Sequence, residues 1–146
     1  MPSAIRVLFL GVSPNGKQLA FVWRNSKENT TTLKVMPATG GEPRELLKVQ
    51  KPKEISALAW TADSDYIIYA ISTAGDKPWT EKKFELWRIA ADGGQPHDLG
   101  LAMDGLRSHS LSVHPDGTRI AFTAGTPRRP EVWVLKDFLP ALKTAK

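Results

Sequence analysis

Apolar residues along this chain recur at alternate positions in short runs, and the runs are separated by clusters of Gly, Pro, Asn, Asp and Ser. Period two is the spacing of a half-buried strand, because successive side chains leave opposite faces of the backbone. Between Ile5–Val12 and Gln18–Trp23 stands Ser13-Pro14-Asn15-Gly16. There Pro presets φ for the first central turn position, and Gly accepts the left-handed conformation that closes a short hairpin. His114-Pro115-Asp116-Gly117 repeats that chemistry, and Thr39-Gly40-Gly41 and Asp92-Gly93-Gly94 mark further hairpin turns. The middle copy, Thr61-Ala62-Asp63-Ser64, carries Ser64 where the other two carry Gly. Ser64→Gly is therefore expected to be neutral or stabilising.

The turn centres Asn15, Asp63 and Asp116 are 48 and then 53 residues apart. A repeat near 50 residues has the length of a four-stranded propeller blade. The pattern predicts four strands per repeat, A to D from the propeller axis outward. Strand A covers Ile5–Val12, Ile55–Trp60 and Ser108–Val113, and strand B covers Gln18–Trp23, Tyr66–Ser72 and Arg119–Ala124. Strand C covers Thr32–Met36, Phe84–Ile89 and Glu131–Leu135; strand D covers Arg44–Leu47 and Gln95–Leu99 and is missing from the third repeat. The expected fold class is all-β: a β-propeller sector of three four-stranded antiparallel blades, the last incomplete. It forms one domain over residues 1–146, with blades at about 5–47, 55–99 and 106–136 and a tail at 137–146.

Composition agrees with many short elements joined by turns, since 11 Gly and 11 Pro lie mostly between the apolar runs. The absence of Cys removes any disulfide framework and any Cys-based metal site. No apolar run reaches the roughly 18 residues that span a bilayer, and no small-residue cleavage site follows Ile5–Val12. The chain as written is thus expected in the cytoplasm, or in the periplasm as a fragment of a longer protein.

Three segments carry a family resemblance: SPNGKQLAF (13–21), ELWRIAADGGQP (85–96) and HPDGTRIAFTAG (114–125). They resemble the TolB-type propeller repeat, a relative of the WD-like repeat. The resemblance implies a bacterial propeller protein; TolB-type propellers usually close with six blades, and this chain departs from them in having three repeats and in Ser64. EVWVLKDFLP (131–140) looks like the last blade of large bacterial proteins, some of which add a winged-helix or kinase domain. The propeller portions of prolyl-oligopeptidase-like enzymes also look similar. Propellers serve many functions, so the resemblance implies fold more than activity.

Catalytic constellations are absent from the sequence: no G-x-S-x-G elbow, no Walker-type loop and no H-E-x-x-H. His109 and His114 are five positions apart, an odd spacing that places them on opposite faces of a strand and rules out joint chelation from it. His114 occupies the first turn position and reads as a turn cap, whereas His109 is a channel candidate. Asp63, Asp65, Asp92 and Asp116 read as turn residues. Trp87 and Trp133 share one strand C position and read as packing between blades, while Trp79 lies in a polar loop where an aromatic can meet a partner. No enzyme activity, cofactor or metal is expected.

The net charge of +5 gains meaning once the loops are placed. In a propeller, B–C loops and D–A connections share one rim; A–B and C–D turns share the other. Eleven cations, among them Arg24, Lys82, Lys83, Arg128 and Arg129, fall on the first rim against five carboxylates, a formal +6. The other rim carries three cations against seven carboxylates, a formal −4. Such a field speeds association with an acidic partner. The sequence therefore predicts a non-enzymatic protein-interaction or assembly module that meets an acidic protein partner through the basic rim or channel mouth. Self-association to a dimer that completes a six-bladed ring is also expected. Nucleic acid and membrane are not expected partners. The alternatives are a propeller fragment accessory to a separately encoded hydrolase, and the C-terminal sensor part of a larger bacterial regulator.

Overall fold

A computed structural model of the chain describes residues 5–73, 83–104, 111–126 and 129–136. The described residues contain eleven strands and no helix. The first sheet holds β1 (Ile5–Val12), β2 (Gln18–Asn25), β3 (Thr30–Pro37) and β4 (Arg44–Gln50) in sequence order. The second holds β5 (Lys53–Trp60), β6 (Tyr66–Thr73), β7 (Lys83–Ala90) and β8 (His97–Asp104), again in order. The third holds β9 (Leu111–Val113), β10 (Arg119–Thr126) and β11 (Arg129–Lys136). All neighbours pair antiparallel.

The three sheets lie side by side, with β5 flanked by β1 and β9 along the inner edge. Two seams hold them together. In the first, Ala20, Val22, Leu33 and Val35 of the first sheet meet Ile55, Trp60, Ile67, Tyr69 and Ile89 of the second. In the second, Ala57, Ile68, Ala70, Phe84 and Leu86 meet Ile120 and Phe122. The Phe84 and Phe122 rings stack there at 6.0 Å between centroids and 22° between planes. Each fully buried Leu, Ile or Phe contributes on the order of 1.5–3 kcal/mol, so the seams rather than isolated sheets carry the fold. Hydrogen bonds tie the first seam: Trp60 Nε1 donates to Gly11 O at 3.0 Å, and Ile55 N donates to Thr31 Oγ1 at 2.9 Å. Gly11 permits that approach, because a Cβ there would lie 3.1 Å from Leu58 Cδ1.

The turns follow the chemistry expected of them. Gly16 and Gly117 have φ of 74° and 75°, and Ser64 takes the same conformation at 65°. The first-position residues cap these turns: Gln18 N donates to Ser13 Oγ at 2.9 Å, and Tyr66 N donates to Thr61 Oγ1 at 3.1 Å. His114 fills the same role, with Nδ1 accepting from Asp116 N at 3.1 Å. Arg119 Nη2 also lies 3.1 Å from His114 Nε2. Arg119 Nη2 also donates to Asp116 Oδ2 at 3.0 Å.

Strand limits differ from the sequence reading mainly at the outer edge. β8 runs His97–Asp104 instead of Gln95–Leu99, and β4 continues to Gln50. Gly100, at φ 78°, interrupts the alternation inside β8, which hides its second half from a period-two reading. β9 begins at Leu111; residues 108–110 of the expected inner strand, and the tail, lie outside the described residues.

Candidate interaction surface

The rim predicted to be basic is built by the β2–β3 loop of the first sheet and the β4–β5 connection. The two are joined by Lys51 N donating to Asn29 O at 3.0 Å. Asn25 Oδ1 holds the loop by accepting from the backbone of Lys27 and Glu28 at 3.1 and 3.3 Å. Lys27, Lys48, Lys51, Lys53 and Lys83 stand exposed on this rim. With Arg24 they oppose Glu28 and Glu54, a formal +4 among the described side chains. On the opposite rim all ten predicted charges are described, and the sum is −4. Two of its three cations are engaged locally: Arg119 pairs with Asp116, and Arg44 reaches across the first seam to the carbonyls of Ala91 and Asp92.

The individual candidates fare unequally. Arg24 Nη2 pairs with Glu54 Oε2 at 2.7 Å, so part of its donor capacity is spent within the chain. Its Nε and Thr30 Oγ1 are sealed from solvent without a partner, so they offer nothing to a ligand. Lys83 opens β7 and is exposed, and Arg129 opens β11. Trp79, Lys82, Arg128 and the channel candidate His109 lie outside the described residues. A small cleft of about 100 Å³ lies between the two loops, bordered by Arg24, Lys51, Lys53 and Glu54.

One feature escaped the sequence reading: an open cavity of about 470 Å³ at the inner edge, between Leu8, Leu10 and Leu58 on one side and Leu111, Ala121 and Val132 on the other. The exposed large apolar residues among those described are Ile5, Val7, Leu10, Val12, Val132 and Val134, and they fall on the first and third repeats, where an open sector was expected to leave a blade face uncovered. Among the described residues no group of three or more His, Asp or Glu could hold a metal. Among the described residues two titrations are displaced. Asp116 is held well below the usual carboxylate range, chiefly by the backbone N–H of Thr118, and burial raises the Tyr69 hydroxyl above the usual phenol range. Neither group lines the cleft or the cavity.

No protein-family model matches the chain, and no curated protein matches it by sequence. Solved structures do match by shape. A prolyl endopeptidase aligns over 91% of this chain with a TM-score of 0.63 and 22% identity. An acylaminoacyl peptidase aligns over 90% at 0.62 and 19%, and the β-propeller domain of the Trilobed protease from Pyrococcus furiosus over 90% at 0.56 and 18%. The fold is a β-propeller sector. The chain spans 19%, 24% and 40% of those three structures, so the likeness concerns one part of each.

Proposed function

We propose that this sector, built from TolB-like repeats, is a non-enzymatic interaction and assembly module whose basic rim receives an acidic protein surface. One observation supports this reading above others: the sector is polarised, with a formal +4 on one described rim and −4 on the other. Lys27, Lys48, Lys51, Lys53 and Lys83 stand exposed on the basic rim, whereas on the acidic rim Arg119 is tied to Asp116 and Arg44 to the carbonyls of Ala91 and Asp92. A positive field of this kind speeds encounter with an acidic surface and weakens with salt.

The test is titration with a defined acidic polypeptide, poly-glutamate, at several salt concentrations. Reversal of Lys27, Lys51, Lys53 and Lys83 to Glu is expected to weaken binding at least about tenfold at low salt and to flatten its salt dependence. Reversal of Asp63, Asp92 and Asp98 on the other rim is expected to leave affinity the same or higher. Equal affinity of the Lys-reversed and parent chains, or tighter binding to duplex DNA than to poly-glutamate, would overturn the reading.

A second reading draws on the structural neighbours. Two of them are peptidases that this chain matches over a fraction of their length, which favours a role as a propeller part working beside a hydrolase domain. Co-purification of a defined hydrolase with the sector, with peptidase activity that changes when the sector is withdrawn, is the result that distinguishes it.

A further inference from the structure

The repeats make it possible to ask what each sheet face packs against. Register fixes the equivalences: Val7, Leu10 and Val12 of β1 pair with Trp23, Phe21 and Leu19. In the second sheet the same positions are Ile55, Leu58 and Trp60, which pair with Ile71, Tyr69 and Ile67. Ile55 and Trp60 are 1% and 7% exposed, buried against the preceding sheet. Their counterparts Val7 and Val12 are 59% and 58% exposed. The opposite face tells the same story at the other end. Leu33 and Leu86 are both buried against the following sheet, at 0% exposure. Their counterpart Val132 is 75% exposed, and Val134, counterpart of the buried Val35, is 53% exposed. The chain thus displays, at its two ends, the two halves of the seam it forms twice within itself.

We propose that a second copy of this chain supplies both missing halves. The outer face of the third sheet of each copy packs on the outer face of the first sheet of the other, closing a six-bladed ring. This goes beyond the basic-rim reading and does not depend on it: of the rim lysines Lys48 lies on one of these faces, in line with Val7, Trp23 and Thr32, and it is not among the four reversed to test that reading. The number follows from closure: propellers close with about four to eight blades. Two copies of the three described sheets bring the count to six, inside that range. A head-to-tail contact makes a ring where its rotation closes, and here each copy presents both partners of the contact.

Lys34 fits the same scheme. It pairs with Phe21 at the position where the second sheet has Trp87 opposite Tyr69. Trp87 borders a groove with Leu47 and Val49 of the preceding sheet's fourth strand. The third sheet has three strands among the described residues, so the surface that would oppose Lys34 lacks that outer strand. A side chain that covers Trp23, with Nζ 3.8 Å from the ring centroid, and keeps its charge toward water suits that position.

The first seam gives the test its residues, since Trp60 touches Gly11 across it. The equivalent contact in the ring joins Val12 of one copy to Ser112 of the other. The chain has no cysteine, so Val12→Cys and Ser112→Cys can be made singly and treated with a short bis-maleimide. A mixture of the two single variants is expected to give a covalent dimer on a denaturing gel, and neither variant alone is expected to. Light scattering of the parent chain is expected to give twice 16.1 kDa from about 1 to about 100 µM, the regime of an ordinary interface. Val132→Asp with Val134→Asp alters exposed side chains only, so the fold is retained by circular dichroism while self-affinity falls at least about 100-fold. A monomer throughout that range, a ladder of larger species in place of a dimer, cross-linking of either single variant by itself, or a dimer indifferent to the Asp pair would each overturn the proposal.

Discussion

Replacing Ser64 sets two effects of similar size against each other. Ser64 holds φ at 65°, a conformation that costs a residue with a Cβ about 1–2 kcal/mol. Gly would remove that cost, which is why the sequence expects Ser64→Gly to be neutral or stabilising. The structure adds a term on the other side. Ser64 Oγ accepts from Asn15 N at 3.1 Å, across the first seam. Such a bond contributes about 0.5–1.5 kcal/mol net, and the extra freedom of Gly in the unfolded chain costs a further 0.4–1 kcal/mol or so. The opposing terms nearly cancel, so Ser64→Gly is expected to lie within about 0.5 kcal/mol of the parent. Ser64→Ala keeps the backbone cost and loses the bond, which places it about 1 kcal/mol below the parent, a fall in Tm of about 2–4 °C. Differential scanning calorimetry of the three proteins reads the order directly. An Ala variant that melts with the parent would show that the seam bond contributes nothing. A Gly variant that melts below the Ala variant would refute the argument from φ.

Trp60→Phe keeps most of the apolar volume but leaves Gly11 O without its donor; denaturation midpoints are expected to show a loss of about 1–2 kcal/mol with an unchanged m-value. Asp116 has a lowered carboxyl pKa in the fold, so its contribution to stability is present above the unfolded value of 3.8 and is lost as pH falls below it. Asp116→Asn should therefore flatten the stability profile from about pH 4 downward, measured by thermal melts across that range, whereas a parallel profile would contradict the assignment. Arg24→Met breaks a pair whose side chains are 36% and 19% exposed; its cost is expected to stay below about 1 kcal/mol, and a larger loss by chemical denaturation would show that the pair organises the rim loops.

Much of the fold was legible because the same turn chemistry occurs three times. Pro14-Asn15-Gly16 and Pro115-Asp116-Gly117 fix hairpins locally, and Ser64 at positive φ completes the set even without glycine. Inner and middle strands are bounded by these turns, so their limits follow within a few residues. The fourth strands were less legible, since β4 and β8 are only partly buried and Gly100 breaks the pattern of β8. The candidate surface was legible in its charge and not in its pairing. Arg24 and Glu54 are 30 residues apart, and only the meeting of β2 with β5 brings them to 2.7 Å. The rim, which the sequence gives only as a charge balance, is therefore made of exposed lysines around an arginine already engaged.

Face assignment was the part that periodicity alone could not give. Val7 and Leu10 are three positions apart, and strict alternation would send them to opposite faces of the first sheet. The register shifts between Val7 and Phe9, so Leu8 is an extra residue and both Val7 and Leu10 stay on one face. The second sheet shifts at the equivalent place, between Ile55 and Ala57, with Ser56 as the extra residue. Ser56 accepts from Ser72 Oγ at 2.8 Å, a buried bond that the apolar Leu8 cannot reproduce in the first sheet. The bulge is thus kept where its side-chain chemistry is not, which indicates that its use lies in aiming the inner strand. Without it, either Val7 or Leu10 would turn into the first seam, and the three residues that match Ile55, Leu58 and Trp60 would no longer form one surface. Deleting Leu8, unlike pairing it regularly, leaves Val7 two positions from Leu10, so plain alternation keeps both on the outer face, opposite Trp23 and Phe21. The Val12–Ser112 cross-link should therefore survive the deletion, and its loss would show that the bulge does more than keep the register of β1.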